Sequence, residues 1–195
     1  MIGVEEKDLK MTSTATSPLT AGTWNLDASH SEIGFSVRHA GVSKVRGSFE
    51  EFDATLNIGQ SLAESSVEAT VQIGSINTKD ANRDGHLKSG DFFNAEEFPT
   101  MTFKSTEVKG DDEEFVLVGE LTLRGVTKQV EFKAELGGQV VDAFGATRAG
   151  FFASTTISRK EFGITWNAAL EAGGVLVSDK VKIEIDASFV LPTAE

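Results

Sequence analysis

The sequence predicts an all-β fold, a single antiparallel barrel of roughly eight strands. Three observations carry that prediction. Apolar and polar residues alternate with a period of two in four separate segments, glycine-rich turns punctuate the chain between them, and no linker or repeat divides the series. A strand with one apolar face must bury it, either against a second sheet or around a closed barrel. A length of 195 residues suits one all-β domain of this kind.

Each element follows from its pattern. Ile33, Phe35, Val37 and His39 alternate with Glu32, Gly34, Ser36 and Arg38. Val67, Ala69, Val71 and Ile73 do the same, as do Val130, Phe132, Ala134 and Leu136. The last such run is Val181, Ile183, Ile185, Ala187 and Phe189. One-sided strands point to antiparallel pairing, since parallel strands are commonly apolar on both faces. Residues 44–58, 101–108, 114–124 and 147–159 supply the remaining strands, with Phe49, Ala54, Leu56 and Ile58 as inward positions of the first. Residues 109–112, 124–125 and 137–138 read as turns. Residues 78–93 break the alternation and read as a short helical insertion, with Thr78 as N-cap, Asp80 in the first turn and Gly90 near the end. Residues 163–178, with Gly173-Gly174, read as a flexible loop or hairpin. The domain is expected over residues 23–191, behind a flexible tail of residues 1–22 in which Met11 offers a second start.

Composition narrows the function classes. With 39% hydrophobic and 25% charged residues the chain is globular. A formal charge of −12 argues against nucleic acid, whose phosphates recruit Lys and Arg, and against electrostatic docking on anionic lipid. No stretch reaches the length of a membrane-spanning helix. The N-terminus has early acidic residues and no apolar run, so no signal peptide is read and a cytoplasmic location is expected. The 14 Phe against no Tyr suit an interior without polar partners.

Catalytic patterns are not found. The absence of cysteine removes thiolate chemistry, and His30, His39 and His86 form no metal-binding spacing. No nucleophile elbow or phosphate-binding glycine loop occurs, and Ser31 beside His30 faces the opposite way on a strand. No metal, cofactor or enzymatic activity is therefore expected. His39 shares the parity of Phe35 and Val37, which would direct it inward. The run containing Arg83, Asp84 and His86 reads either as a capped helix with local ion pairs or as the rim of a ligand site. Arg159 either holds a polar head group at a barrel mouth or pairs with an acid.

Taken in order, a set of short motifs resembles the YceI-like family of lipocalin-like polyisoprenoid-binding proteins. They are Trp24-Asn25-Leu26-Asp27 with His30-Ser31, then residues 33–39, Gly47-Ser48-Phe49 and Ile76-Asn77-Thr78. Arg83-Asp84, residues 86–89, Asp91-Phe92-Phe93, Phe98-Pro99 and Phe103-Lys104-Ser105 follow. Residues 119–122 with 125–127, Arg159 with Phe162-Gly163, and residues 175–181 complete the set. The resemblance covers nearly all of residues 23–190. It implies a lipocalin-like eight-stranded barrel with a long apolar tunnel that stores or transports an isoprenoid quinone or a related long-chain or fatty lipid. Many members of the family carry an export signal, and none is expected from residues 1–22 here.

On that reading the expected tunnel walls are Phe35, Val37, Phe49, Leu56, Val71, Ile73, Phe103, Leu121, Phe132, Phe151, Ile157 and Phe189. The head-group end is expected among His39, Arg83, Asp84, His86 and Arg159. The alternation is equally compatible with a fully packed barrel acting as a stress-response or protein-interaction module, and a homodimer that shields an open mouth is compatible with either.

Overall fold

The structure is a computed structural model that describes residues 18–111 and 113–193. Eleven strand segments form one sheet: β1 (Gly22–Leu26), β2 (Glu32–His39), β3 (Ser43–Phe49), β4 (Phe52–Ile58), β5 (Ser66–Gln72), β6 (Ile76–Asn77), β7 (Thr100–Gly110), β8 (Glu114–Leu123), β9 (Val126–Val141), β10 (Thr147–Ser158) and β11 (Val177–Leu191). Three pairs are single strands with a break. Segments β1 and β2 flank the 3-10 turn Ala28–His30, β3 and β4 flank Glu50-Glu51, and β5 and β6 flank the 3-10 turn Ile73–Ser75. Counted this way, eight antiparallel strands follow one another round the barrel, and β11 closes it by pairing with both β1 and β2. Every connection is to the next strand, the simplest route for one-sided strands to hide their apolar faces.

Local chemistry explains the turns. Asp27 accepts from Ser29 N and so caps the turn that breaks the first strand. Arg124 and Gly125 both have positive φ, 50° and 73°, as a tight two-residue hairpin demands. A Cβ on Gly125 would also meet the Phe98 ring at 2.7 Å. Residues 164–176 take a hairpin-like course, with a bridge between Ala169 and Val175.

The insertion holds the single α-helix among the described residues, α1 (Ala81–Lys88). Its N-cap is Asp80, which accepts from Arg83 N at 3.0 Å, and not the expected Thr78. Lys79 turns the chain into the left-handed region (φ 64°), so the helix starts two residues later than the pattern suggests. Thr78 is buried instead, and both its N–H and its hydroxyl donate to the Asp84 carboxylate.

The interior has two apolar clusters. Around α1 and the loop before β11, Phe49, Ile73, Ile76, Phe92, Leu123, Phe162 and Ile164 pack solidly. At the other end Leu19, Trp24, Leu56, Ile58, Ala149 and Phe189 form the second. The expected tail needs a correction here. Leu19 is buried, and Thr20 exchanges two hydrogen bonds with Gln139, so the chain joins the barrel before Gly22. Residues 1–17 of that tail lie outside the described residues.

Candidate functional site

Between the two clusters lies an apolar cavity, with about 1380 Å³ of empty space when the open solvent at its mouth is counted. Small residues on the inward face create the space. Ala54 sits opposite Ala69 across β4 and β5, Ala134 opposite Ala153 across β9 and β10, and Ala187 opposite Phe151 across β10 and β11. All five alanines, and Phe151, line the cavity. A bulky side chain at these positions would meet the far wall and fill a barrel of eight strands. Phenylalanines finish the surface edge to face: Phe103 on Phe132 at 5.3 Å, and Phe151 on Phe189 at 5.9 Å. Gly119 makes room for the Phe103 ring, which lies where a Cβ would otherwise be.

Of the expected wall residues, Leu56, Val71, Phe103, Leu121, Phe132, Phe151 and Phe189 line this cavity. Phe35, Phe49, Ile73 and Ile157 belong to the solid cluster beside α1, and Val37 is half-buried outside the cavity. The interior is therefore blind at the α1 end and not a through tunnel. Alternation tells which face a residue occupies, whereas depth along the axis comes from strand register. The alanines were the missed signal, because they occupy inward positions on several strands.

Apart from Thr102 on β7, polar residues touch the cavity in two places. Ser65 and Ser66, with Leu19, Leu62, Val108 and Phe115, mark the end where β4 turns into β5 and β7 into β8. Ser31, Asp53 and Asp186 mark a side opening. Pairing of β1 with β4 stops at Asn25 and Thr55, and pairing of β2 with β3 stops at Ile33 and Phe49. Two breaks side by side leave a slit in the wall, and Ser31 and Asp53 lie in it.

None of the five expected head-group residues lines the cavity. His39 is exposed at the end of β2. Arg83 donates to the Thr78 hydroxyl (2.8 Å) and carbonyl (2.6 Å), and Asp84 accepts from Thr78, so these two form a local network beneath α1. His86 lies with Nε2 2.9 Å from Asp91 Oδ2 and its ring edge-on to Phe92 and Trp166. Arg159 is 4% exposed and donates to four carbonyls, those of Ile164, Trp166, Val177 and Ser178. Burial pushes its pKa down, but the carbonyls take the place of water around the cation. Arg83, Asp84 and Arg159 are thus engaged by protein groups at the α1 end, outside the cavity.

At the open end a second polar cluster ties strands together. Asp27 accepts from Ser29, Arg148 (2.7 Å) and lies 2.8 Å from His30 Nδ1. Arg148 also donates to Asp142 at 2.6 Å. The Ser29 hydrogen bond first, then Arg148 and His30, hold the Asp27 carboxyl well below its ordinary value of 3.8. Arg148, with the Ala146 and Phe144 amides, lowers Asp142 likewise. Carboxylates with a lower pKa in the folded than in the unfolded chain stabilise the fold above the ordinary value, and that contribution is lost as pH falls through the folded value. The melting temperature is thus expected to stay level from pH 7 to about 5 and to fall below about 4. Melts of Asp142→Asn should show a shallower acid decline, and an unchanged slope would remove Asp142 from this account.

A closed meander of eight strands around one apolar cavity defines the lipocalin-like class of barrel, in which the interior is lined instead of filled. The chain belongs to the YceI-like family, whose domain model matches residues 24–189. It is 40% identical over 169 residues to a UPF0312 protein of Staphylococcus aureus strain USA300, covering 85% of this chain and 96% of that one. It is 43% identical over 159 residues to a UPF0312 protein of Photorhabdus laumondii, covering 74% and 83%. Among solved structures, the Campylobacter jejuni YceI protein superposes with a TM-score of 0.69 at 30% identity, over 80% of this chain and 90% of that one. A polyisoprenoid binding domain from Saccharophagus degradans shares the fold, with a TM-score of 0.66 at 14% identity, over 89% and 100%. No helix among the described residues is long and apolar enough to cross a membrane.

Proposed function

We propose that the protein binds a long-chain isoprenoid lipid, a quinone or a related amphiphile, inside this cavity, and that it stores or carries the lipid without altering it chemically. The observation that supports the reading is the alanine-girdled apolar cavity, which distinguishes a binding barrel from a solid interaction module. Each methylene buried there contributes ~0.8 kcal/mol, so a few prenyl units offset the cost of ordering the chain. The polyisoprenoid-binding description of the Saccharophagus degradans domain with the same fold agrees with such a ligand.

Native mass spectrometry and solvent extraction of the purified protein test the reading. A long-chain isoprenoid is expected at close to one per barrel, and a protein that stays empty after incubation with prenylated quinones would overturn it. Phe103→Asp places a charge in the cavity wall and should lower lipid retention by at least about tenfold, a larger change than its melting curve accounts for.

A further inference from the structure

We propose that the hairpin joining β9 and β10 is a docking finger for a zwitterionic phospholipid bilayer. The inference rests on the lipid-binding reading above. The hairpin stands at the end of the barrel where the cavity opens. Leu136 N still bonds Glu113 O at the β8 rim, and residues 137–141 continue past it for about 17 Å at ~3.4 Å per residue. Beyond that rim β9 has lost its β8 neighbour, while β10 stays paired with β11 only as far as Thr147 and Leu191, so residues 142–146 carry no further strand partner. Consecutive residues Val140 and Val141 point to opposite faces, yet they are 62% and 68% exposed. Phe144 at the tip is 95% exposed. A soluble surface rarely holds three large apolar groups out on one projection without a use for them.

The tip is shaped in advance. Asp142 accepts from the Phe144 and Ala146 amides, Asp142 N donates to Ala146 O, and Gly145 N donates to Asp142 O. Arg148 clamps Asp142 and links it, across β11, to Asp27 at the turn that follows β1. The network fixes the base of the hairpin and leaves the apolar side chains outside it, so insertion would cost little further ordering.

Charge selects the kind of surface. Residues 137–147 contain one ionisable group, Asp142, already paired with Arg148, whereas the whole chain carries −12. A strongly acidic protein is repelled by anionic lipid, and its neutral apolar projection fits a surface without net charge. Bilayers are also where a free isoprenoid lipid partitions, so a finger beside the mouth would bring the cavity to its source.

The test uses the full chain with phosphatidylcholine vesicles. Co-sedimentation of the native protein is expected, and Val141→Ser/Phe144→Ser should reduce the partition coefficient by about tenfold or more, since two exposed apolar groups are lost. Both substituted side chains are exposed, so the melting temperature should not move. Lipid delivered from detergent should load the variant to the native level, which separates docking from cavity binding. If neither protein loads lipid, the function proposed above fails, while vesicle partition still scores the finger. The docking proposal is overturned if the native protein stays in the supernatant or if the variant sediments equally. It is also overturned if the native protein is a dimer that the variant converts to monomer, because the hairpin then serves a second copy of the chain.

Discussion

Replacing Ala69, Ala134 and Ala153 together by Leu is expected to give a folded barrel that retains almost no lipid. These alanines come from both sides of the cavity, Ala69 on β5 and the neighbouring pair Ala134 and Ala153 on β9 and β10. Three added isobutyl groups would meet in the space that the smaller side chains leave. Displacing only three methylenes of a bound chain costs the complex about 2.4 kcal/mol at ~0.8 each, roughly fiftyfold in affinity. Stability should change far less. New apolar contacts offset the strain of overpacking, which by itself runs to about 1–3 kcal/mol. Extraction of lipid from the purified variant, read beside its melting curve, decides the matter. A variant that holds as much lipid as the native protein would show that the ligand lies elsewhere.

Trp24→Ala is expected to produce the largest loss of stability of any single substitution near the cavity, about 3–5 kcal/mol. Trp24 is 0% exposed, pairs with Leu56 across β1 and β4, and packs with Leu19, Ile58 and Phe189. Its indole N–H donates to Thr20 O at 3.0 Å, which holds the start of the chain against the barrel. At about 2–4 °C per kcal/mol for a chain of this size, the melting temperature should fall by about 6–20 °C. Trp24→Phe should lose less, since it keeps most of the apolar volume and forfeits mainly the hydrogen bond. Urea unfolding of the three proteins ranks them, and a loss for Trp24→Ala below about 1 kcal/mol would contradict the packing described.

Much of the barrel was legible because its evidence is local. The alternation through Val130, Phe132, Ala134 and Leu136 reveals a strand and its buried face within seven residues. The breaks in the strands were not legible. The one at Asp27 depends on a side-chain cap and the one at Glu50-Glu51 on the neighbouring strand, and neither carries proline or an unusual glycine. Arg159 was ambiguous for a similar reason. Its four acceptors lie on residues 164–178, and only the return of that loop brings their carbonyls together. The polar run through Arg83 and His86 reads in sequence as either a capped helix or a ligand rim, because polarity is visible there whereas the end of the barrel it covers is decided by topology.

The blind end gives the cavity a direction. Phe49, Ile73, Phe92 and Phe162 pack the α1 end, so an amphiphile would enter through the opposite end or through the slit beside Ser31 and Asp53. A chain with one polar terminus would then lie tail inward, its head beside the serines and aspartates of the opening. On the lipid-binding reading proposed above, such a vessel would select by depth, and tails of equal length would compete for it whatever their heads.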